Sequence, residues 1–257
     1  MDRILVLDVG NTNIVIGLYT GKELRHRWRI ATVRERTSDE LGILLKSLFH
    51  DQGADPSALD GIVVSSVVPP LMTALENMCI RYFGHSPLIV GPGMRTGLPI
   101  KYENPRDVGA DRIVNAVAAV QIYGPPLIIV DFGTATTFCV VDEQGQYLGG
   151  VIAPGVKTSA DALFEHAAKL PRIELVRPRT VVGRNTVTSM QSGVIFGFAG
   201  LVDGIVERIR GEIPLPFKVV STGGLAELVS AQSRMIQYTN LDLTLEGLRV
   251  LWERNRV

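Results

Sequence analysis

A short acidic motif occurs twice in this chain, each time directly after an apolar run. Asp8-Val9-Gly10-Asn11-Thr12-Asn13 follows the run 4–7, and Asp131-Phe132-Gly133-Thr134-Ala135-Thr136 follows the run 127–130. A second strand-like run and a glycine-containing turn come after each copy. At such a tip glycine lets the backbone approach an anion, amides and hydroxyls donate to phosphate oxygens, and the aspartate orients a cation or a water. One copy alone would more often be an ordinary strand-end turn, but two copies in equivalent contexts predict a duplicated fold that holds a nucleotide between two related halves.

The composition indicates an ordinary globular protein without an excess of charge of either sign. Lys and Arg together number 26, as do Asp and Glu, so the net charge favours neither nucleic acid nor an anionic membrane. The two cysteines lie in apolar segments and form no disulfide framework, which fits a reducing compartment. The sequence has no signal-peptide pattern and no apolar run near the roughly 18 residues of a membrane span. We therefore expect a cytoplasmic protein with no nucleic-acid or membrane partner.

The hydrophobic patterns predict the same succession of elements in each half. Besides the strands on either side of the two acidic motifs, strands are expected at 24–30, 61–66, 88–90 and 217–221. Helices are expected from Thr37 and over 70–82, 110–123, 158–169 and 188–210, then from Leu225 and over 244–254. Thr37 and Glu40 have the spacing of a capping box, which marks a helix start. Antiparallel strands followed by alternating helices and strands favour a mixed sheet covered by helices, formed twice.

Four motifs, taken in order, carry a specific resemblance. They are Asp8-x-Gly-Asn-Thr-Asn13, Gly109-Ala110-Asp111-Arg112, Asp131-x-Gly-Thr-Ala-Thr136 and Thr222-Gly223-Gly224. Together they resemble the type III pantothenate kinases of the acetate/sugar kinase, Hsp70 and actin superfamily, over essentially the whole chain. The resemblance implies an α/β fold of two tandem ribonuclease-H-like domains, residues 1–108 and 109–257, with mixed sheets flanked by helices and a cleft between the domains. The implied reaction is ATP-dependent phosphorylation of the primary hydroxyl of pantothenate to 4'-phosphopantothenate, the first step of coenzyme A biosynthesis.

The resemblance assigns nucleotide contacts to both acidic loops and to the last glycine motif. The residues are Asp8, Val9, Gly10, Asn11, Thr12, Asn13, Ile14, Val15, Thr134, Gly223 and Gly224. Phosphoryl transfer needs positioning and charge neutralisation, which such loops supply together with cations. Asp8 is expected to face the shell of a Mg²⁺ ion that accompanies ATP, and Asp131 matches the family's ligand of a monovalent cation, K⁺ or NH₄⁺. For Gly223-Gly224 the alternative is a plain strand-to-helix turn.

The substrate residues are also carried by the resemblance. Gly109-Ala110-Asp111-Arg112 opens a predicted helix, where amides and the helix dipole favour a polar ligand. Asp111 matches the family's general base, and Arg112, Tyr102 and Thr186 match substrate-contacting positions. A carboxylate with a pKa of about 3.9 is a weak base, so its task is to align the hydroxyl and take the proton late. Read from the sequence alone, Asp111 is equally consistent with a helix cap, and Tyr102 is more often a half-buried packing residue.

The family's homodimer is expected here too. Gly193, Gly197, Gly200 and Gly204 recur along the long helix and suggest close packing, either at a subunit contact or inside the chain. Two rival functions remain. One is a non-catalytic nucleotide-binding accessory protein that acts through a protein partner; such a protein would be expected to lose an acid such as Asp111 or Asp131, and both are present. The other is a related kinase or phosphatase with a different substrate.

Overall fold

The structure is a computed structural model that describes residues 2–256. Its strands are β1 (Arg3–Val9), β2 (Asn13–Thr20), β3 (Glu23–Ala31), β4 (Gly61–Ser66), β5 (Leu88–Ile89), β6 (Leu127–Phe132), β7 (Ala135–Val141), β8 (Tyr147–Pro154), β9 (Lys218–Thr222) and β10 (Tyr238–Thr239). Its helices are α1 (Ser38–Asp51), α2 (Met72–Phe83), α3 (Ala110–Tyr123), α4 (Val156–His166), α5 (Thr186–Glu212), α6 (Ala226–Ser230) and α7 (Leu243–Asn255). Within the described residues the chain forms two compact units: unit 1 takes the ranges 2–97, 104–118 and 244–256, and unit 2 takes 98–103 and 119–243.

Each unit contains one five-stranded mixed sheet, and the two sheets have the same topology. In unit 1 the strand order is β3-β2-β1-β4-β5, with β1–β2 and β2–β3 antiparallel and β1–β4 and β4–β5 parallel. In unit 2 the order is β8-β7-β6-β9-β10, and the corresponding pairs have the same directions. Repetition of this unusual mixture of directions confirms the predicted α/β class with duplicated mixed sheets. The compact units are discontinuous in sequence, and the domain boundary after residue 108 stays a prediction.

Local sequence explains why the central elements form where they do. The run Ile4–Leu7 is buried throughout, as expected for a strand that has neighbours on both edges and is covered on both faces. β3, at the edge of its sheet, instead alternates exposed and half-buried residues. At α1 the side chain of Thr37 accepts from the N–H of Glu40, whose carboxylate accepts in return from the N–H of Thr37, so the predicted capping box is present.

A separate apolar core supports each sheet. In unit 1, Leu5, Leu7 and Ile62 of the sheet pack with α1 and α2, and the buried Cys79 belongs to this core. Burial raises the pKa of the Cys79 thiol to about 12, so it stays protonated at neutral pH and behaves as a small hydrophobe. In unit 2 the core joins Phe132 and Val219 with α4, α5 and α6. Both cysteines are buried and free, as the composition predicted.

The differences from the predicted elements are confined to a few segments. The sequence did not predict β8, because Gly149-Gly150 interrupts its apolar pattern. It did not predict the two-residue strand β10 either. α4 ends at His166 rather than near residue 169. α5 is 27 residues long, and among residues 2–256 it is the one helix long and apolar enough to cross a membrane. However, 56% of its most apolar 18-residue stretch is buried inside the protein, as in the core helix of a globular protein. The length and composition of α5 are therefore weak evidence that it crosses a membrane.

Candidate active site

The first acidic loop is a tight hairpin tip between β1 and β2. The N–H of Gly10 donates to the carbonyl of Asn13 at 3.0 Å, which closes the tip. Thr32, directly after β3, then fastens the loop from outside: its hydroxyl donates to the carbonyl of Gly10 at 2.7 Å and its N–H donates to the carbonyl of Thr12 at 3.0 Å. These bonds hold the tip in one shape. No sequence signal points to Thr32, because its partners are distant along the chain.

The second acidic loop is fastened in a similar way, but by a helix. The N–H of Gly133 donates to the carbonyl of Ala135 at 3.0 Å, and the hydroxyl of Thr158 in the first turn of α4 donates to the carbonyl of Thr134 at 2.8 Å. Gly155, the N-cap of α4, packs so closely that a Cβ there would overlap the carbonyl of Thr134. The start of α4 therefore lies directly against the second loop, where the positive end of the helix dipole favours an anion.

The two hairpins differ in register. Asp8 pairs with Val15 across the first hairpin, whereas Asp131 pairs with Thr137 across the second. The second tip is consequently one residue shorter, although the two motifs align in sequence without a gap. The acids occupy the same place in their sheets, since each lies in a central strand that has an antiparallel neighbour on one side and a parallel neighbour on the other.

The last glycine motif contacts the second acid directly. In the parallel pair β6–β9, Asp131 is in register with Thr222, so Gly223 follows at the carboxyl end of β9. Gly223 has φ +99°, and a Cβ there would lie 2.5 Å from Oδ1 of Asp131 and 2.7 Å from the N and O of Phe132. Only glycine satisfies both the backbone conformation and the contact. The structure thus brings Asp131, Gly133 and Gly223 together at one end of the second sheet, the end at which open α/β sheets bind ligands.

Asp111 lies in the first turn of α3 in unit 1. Its Oδ1 accepts from the N–H of Arg112, the next residue, at 2.8 Å, so Asp111 lies inside the helix and is not its cap. Gly109 lies against the same oxygen, since a Cβ there would be 2.6 Å from it. The side chain of Asp111 is half-buried, while Arg112 is buried with 7% of its surface exposed and is engaged within the protein.

Tyr102 packs on the second sheet. Residues 98–103 run beside β8: the N–H of Lys101 donates to the carbonyl of Tyr147 at 2.8 Å. The ring of Tyr102 lies edge-on to that of Tyr147, with centroids 6.4 Å apart, and its carbons would lie 3.5 and 3.6 Å from a Cβ on Gly149. Gly149, at φ +141°, leaves room for the ring. Tyr102 is half-buried, so it combines the packing contact with a partly accessible side chain.

Thr186 is the first residue of α5 and lies at a cavity in unit 2. Asn185 caps this helix, its side chain accepting from the N–H of Thr188 at 2.9 Å. The cavity has a volume of about 810 Å³. Its walls combine Arg184, Asn185 and Thr186 with apolar side chains that include Leu163, Met190 and Val194. Such a mixture of apolar walls and a few polar groups is typical of small-molecule sites.

The predicted site residues are divided between the two units. Unit 1 holds Asp8, Val9, Gly10, Asn11, Thr12, Asn13, Ile14, Val15, Gly109, Ala110, Asp111 and Arg112, and unit 2 holds Tyr102, Asp131, Thr134, Thr186, Gly223 and Gly224. Among residues 2–256, no group of three or more His, Cys, Asp or Glu side chains is arranged to hold a metal ion. A cation at either acid would therefore take most of its ligands from water, hydroxyls, carbonyls and ligand phosphates, as Mg²⁺ commonly does.

Sequence comparison decides the family. The model of the family described as "Type III pantothenate kinase" matches residues 4–208. A curated type III pantothenate kinase from Geobacillus kaustophilus (strain HTA426) is 57% identical over 252 residues, covering 98% of both chains. One from Geobacillus sp. (strain WCH70) is 56% identical over the same length and coverage. This chain belongs to the type III pantothenate kinase family. The resemblance inferred from the motifs is thereby confirmed. The family model ends at residue 208, but the alignment with the two relatives covers 98% of this chain and includes its last glycine motif, Thr222-Gly223-Gly224.

Solved structures support the fold of this type III pantothenate kinase family member at much lower identity. A putative Baf family transcriptional activator from Campylobacter jejuni has a TM-score of 0.61 at 17% identity, covering 98% of both chains. Component A of the (R)-2-hydroxyglutaryl-CoA dehydratase from Acidaminococcus fermentans has a TM-score of 0.57 at 13% identity, covering 97% of this chain and 95% of that one. At such identities the likeness concerns the fold alone, which is the predicted actin-like ATPase and sugar kinase fold.

Proposed function

We propose that this chain transfers the γ-phosphoryl group of ATP to the primary hydroxyl of pantothenate, which forms 4'-phosphopantothenate in the first step of coenzyme A biosynthesis. The observation that carries this conclusion is the 57% identity, over 98% of both chains, to a curated type III pantothenate kinase. As a family member the chain uses ATP and pantothenate as substrates. The assignments that follow, residue by residue, are our own inference from the geometry of each unit.

The two acidic loops are assigned to the phosphates of ATP. Both tips are closed by a backbone hydrogen bond and fastened by a threonine hydroxyl, Thr32 for the first loop and Thr158 for the second. A loop held in this way presents its amides and hydroxyls without further reorganisation when charge develops on the transferring group, which is what phosphoryl transfer requires. Thr134 is assigned a phosphate contact because the start of α4 adds its dipole there.

Asp8 is assigned to the shell of the Mg²⁺ ion that accompanies ATP. A carboxylate at the carboxyl end of a central strand suits this hard cation, which keeps most of its waters. The neighbouring strand offers an orphaned polar atom, the buried hydroxyl oxygen of Ser65, in register with Asp8, so the residues present fit an ion that is held through the Asp8 carboxylate. When bound, Mg²⁺ would supply neutralisation of charge on the β- and γ-phosphate oxygens.

Asp131 is assigned to a monovalent cation, K⁺ or NH₄⁺. A Cβ on Gly223 would lie 2.5 Å from Oδ1 of Asp131 and 2.7 Å from the carbonyl oxygen of Phe132, so a carbonyl oxygen lies near the carboxylate. Gly223 and Gly224 are assigned to the adenosine end of the nucleotide, because their missing side chains let a ligand lie on the backbone. We expect Asp131→Asn to abolish activation by K⁺ while pantothenate dependence persists.

Asp111 is assigned the role of general base. The N–H of Arg112 donates a hydrogen bond to Oδ1 of Asp111 and holds it in place. The other carboxylate oxygen, Oδ2, is assigned to accept the proton of the pantothenate hydroxyl. The carboxylate first accepts a hydrogen bond from the hydroxyl, holds it in line with the γ-phosphorus, and takes the proton as the new O–P bond forms. Gly109 and Ala110 supply the close backbone around this carboxylate.

Arg112, Tyr102 and Thr186 are assigned to pantothenate itself. Pantothenate has an apolar gem-dimethyl group, an amide and a carboxylate, which need an apolar wall and a few donors. The half-buried Tyr102 offers an aromatic ring as a flat wall and one hydroxyl. Thr186 borders a cavity of about 810 Å³ with apolar walls, which supports a role beside a small organic acid.

The homodimer is proposed with α5 at the subunit contact. Apart from its chain neighbours and the backbone of its own helix, a Cβ on Gly193, Gly197 or Gly200 would meet no atom of the described residues within 4 Å, so internal packing there does not explain these glycines. All three are exposed. Close approach of a second copy does explain them, and Gly197→Arg is expected to give a monomer by light scattering. We also propose a cytoplasmic location, which cell fractionation tests.

One assay tests the function. Purified protein is incubated with ATP, Mg²⁺ and K⁺, and ADP release is measured with and without pantothenate. The proposal predicts ADP release that depends on pantothenate. If the protein binds nucleotide but releases no ADP in response to pantothenate, the proposal is contradicted and a non-catalytic accessory protein is favoured. If it releases ADP only with another small acid, a related kinase with a different substrate is favoured.

A further inference from the structure

Ser65 is a buried hydroxyl residue beside the first acid. It lies near the end of β4, which runs parallel to β1, and its register partner there is Asp8. Leu7, Val9 and Val64 belong to the apolar core on one face of the sheet. Because side chains alternate along a strand, Asp8 and Ser65 project together from the opposite face. Neighbouring strands lie about 4.8 Å apart, so the two side chains are within reach of one another.

The hydroxyl of Ser65 makes no hydrogen bond within the described part of the chain that would explain its presence in the interior. The residue is 0% exposed, and its Oγ has no hydrogen-bond partner among residues 2–256. The hydroxyls of its neighbour and of a comparable strand end do have partners: the Oγ of Ser66 accepts from the N–H of Val68 at 3.1 Å, and that of Ser221 lies 2.8 Å from the Oγ of Ser230. A buried, unpaired hydroxyl destabilises the protein, and alanine at this position would avoid that cost.

The second sheet repeats the arrangement. Asp131 of β6 is in register with Thr222 of β9, and Thr222 is also buried, with 2% of its surface exposed. Each sheet therefore places a buried hydroxyl residue next to its acid, at the carboxyl end of a parallel strand pair. Since ligands bind at that end of such sheets, the repeat relates the hydroxyl to the site rather than to the core.

We propose that Ser65 is a positioning residue for Asp8: its hydroxyl donates to the carboxylate of Asp8 when Mg²⁺ and ATP are bound, and so fixes the orientation in which Asp8 holds the ion's water shell. The inference rests on the proposed assignment of Asp8 to Mg²⁺. Ser65 acts through Asp8 because its Oγ is inaccessible to a ligand. Asp8 is also engaged elsewhere within the protein, so Ser65 is one of several groups that orient it.

The test compares Ser65→Ala with the wild type and with Ser66→Ala, a control that removes the hydroxyl of the adjacent residue of the same strand. Two quantities are measured: the melting temperature without ligands, and the Mg²⁺ concentration at which ATP stabilises the protein half-maximally in a thermal shift titration. We expect Ser65→Ala to melt at or above the wild-type temperature, because an unpaired buried hydroxyl is removed. It should nevertheless need about 10-fold more Mg²⁺, the usual effect of losing a group that orients a metal ligand.

Two results overturn the proposal. One is an unchanged Mg²⁺ requirement in Ser65→Ala, and the other is a melting temperature several degrees lower without ligands, which would make Ser65 a structural residue. Asp8→Asn separates this failure from that of the proposed function. If Asp8→Asn raises the Mg²⁺ requirement and Ser65→Ala does not, only the role of Ser65 is wrong. If neither variant changes it, the assignment of Asp8 is wrong and the inference falls with it.

Discussion

The hydroxyl of Thr32 donates a 2.7 Å hydrogen bond to the carbonyl of Gly10 and so ties the end of β3 to the tip of the first acidic loop. Thr32→Val keeps the shape of the side chain and the backbone bond to Thr12 but removes this bond. A neutral hydrogen bond contributes about 1 kcal/mol, which corresponds to about a fivefold rise in KM for ATP. Thr32→Ser retains the hydroxyl and should be near normal. Equal KM values for the valine variant and the wild type would show that the bond does not position the loop.

Gly155→Ala tests the contact between α4 and the second loop. The added Cβ would overlap the carbonyl of Thr134, so either the loop or the start of the helix must move. We expect a clear loss of ATP affinity by calorimetry together with a lower melting temperature. Gly211→Ala, in the last turn of α5, is the control, because a Cβ at that glycine meets nothing within 4 Å. An alanine at 155 that left ATP affinity intact would contradict the assignment of this loop to phosphate.

Gly223→Ala tests the contact between the last glycine motif and Asp131. Gly223 and Gly93 have similar backbone angles, φ +99° and +93°, but only at Gly223 would a Cβ be crowded, 2.5 Å from Oδ1 of Asp131. Gly93→Ala therefore measures the cost of the left-handed conformation alone, about 1–2 kcal/mol. We expect Gly223→Ala to lose more stability than Gly93→Ala and to lose activation by K⁺ as well. Equal losses in the two variants would show that Asp131 is not confined by Gly223.

Asp203 makes stability depend on acid pH. Its carboxylate, on α5, accepts from the hydroxyl of Ser233 at 2.6 Å and from the N–H groups of Arg234 and Met235 at 3.0 and 3.2 Å. Burial raises the pKa of Asp203, but these hydrogen bonds outweigh it and hold the pKa below its ordinary value. A lowered folded-state pKa stabilises the protein above the unfolded value of about 3.9, and that contribution is lost as the pH falls from there through the folded pKa.

Asp203→Asn should accordingly lower the melting temperature at pH 7 and flatten its decline below about pH 4, because the variant has no carboxylate to protonate. Melting curves of both proteins between pH 7 and pH 3 check this. Parallel declines would mean that Asp203 does not contribute to the acid sensitivity.

Asp111→Asn tests the proposed base. The amide keeps the size of the side chain and the contact with the N–H of Arg112, but it cannot accept a proton. General-base catalysis contributes about 10²- to 10⁴-fold, so kcat should fall by that factor while ATP affinity stays close to normal. If the variant retained near-normal kcat, another group would have to accept the proton of the hydroxyl, and Asp111 would not be the general base.

Short-range features of the fold were predictable from the sequence. The buried runs 4–7 and 127–130 are apolar enough to mark central strands, and the capping box of Thr37 and Glu40 depends on residues only three apart. The approximate bounds predicted for α3 agree with the observed Ala110–Tyr123, where a glycine precedes the helix and Gly124 follows it. The duplicated sheets followed from the repeated motif.

Long-range features were not predictable. Thr32 and Thr158 donate to carbonyls 22 and 24 residues away, and nothing in the local sequence distinguishes them from other threonines. The sequence does not show that the second hairpin tip is one residue shorter than the first, because the two motifs align without a gap. β8 was not predicted because glycines interrupt its apolar pattern. Gly149 leaves room for the ring of Tyr102, and this contact is visible only in the folded structure.

The identity of the phosphorylated product tests the central claim most directly. ATP labelled in the γ-phosphate is incubated with the protein, Mg²⁺, K⁺ and pantothenate, and the products are separated and analysed by mass spectrometry. We expect the label on the primary hydroxyl of pantothenate, in amounts equal to the ADP formed. Label released only as inorganic phosphate, or no labelled pantothenate from a protein that binds ATP, would contradict the account.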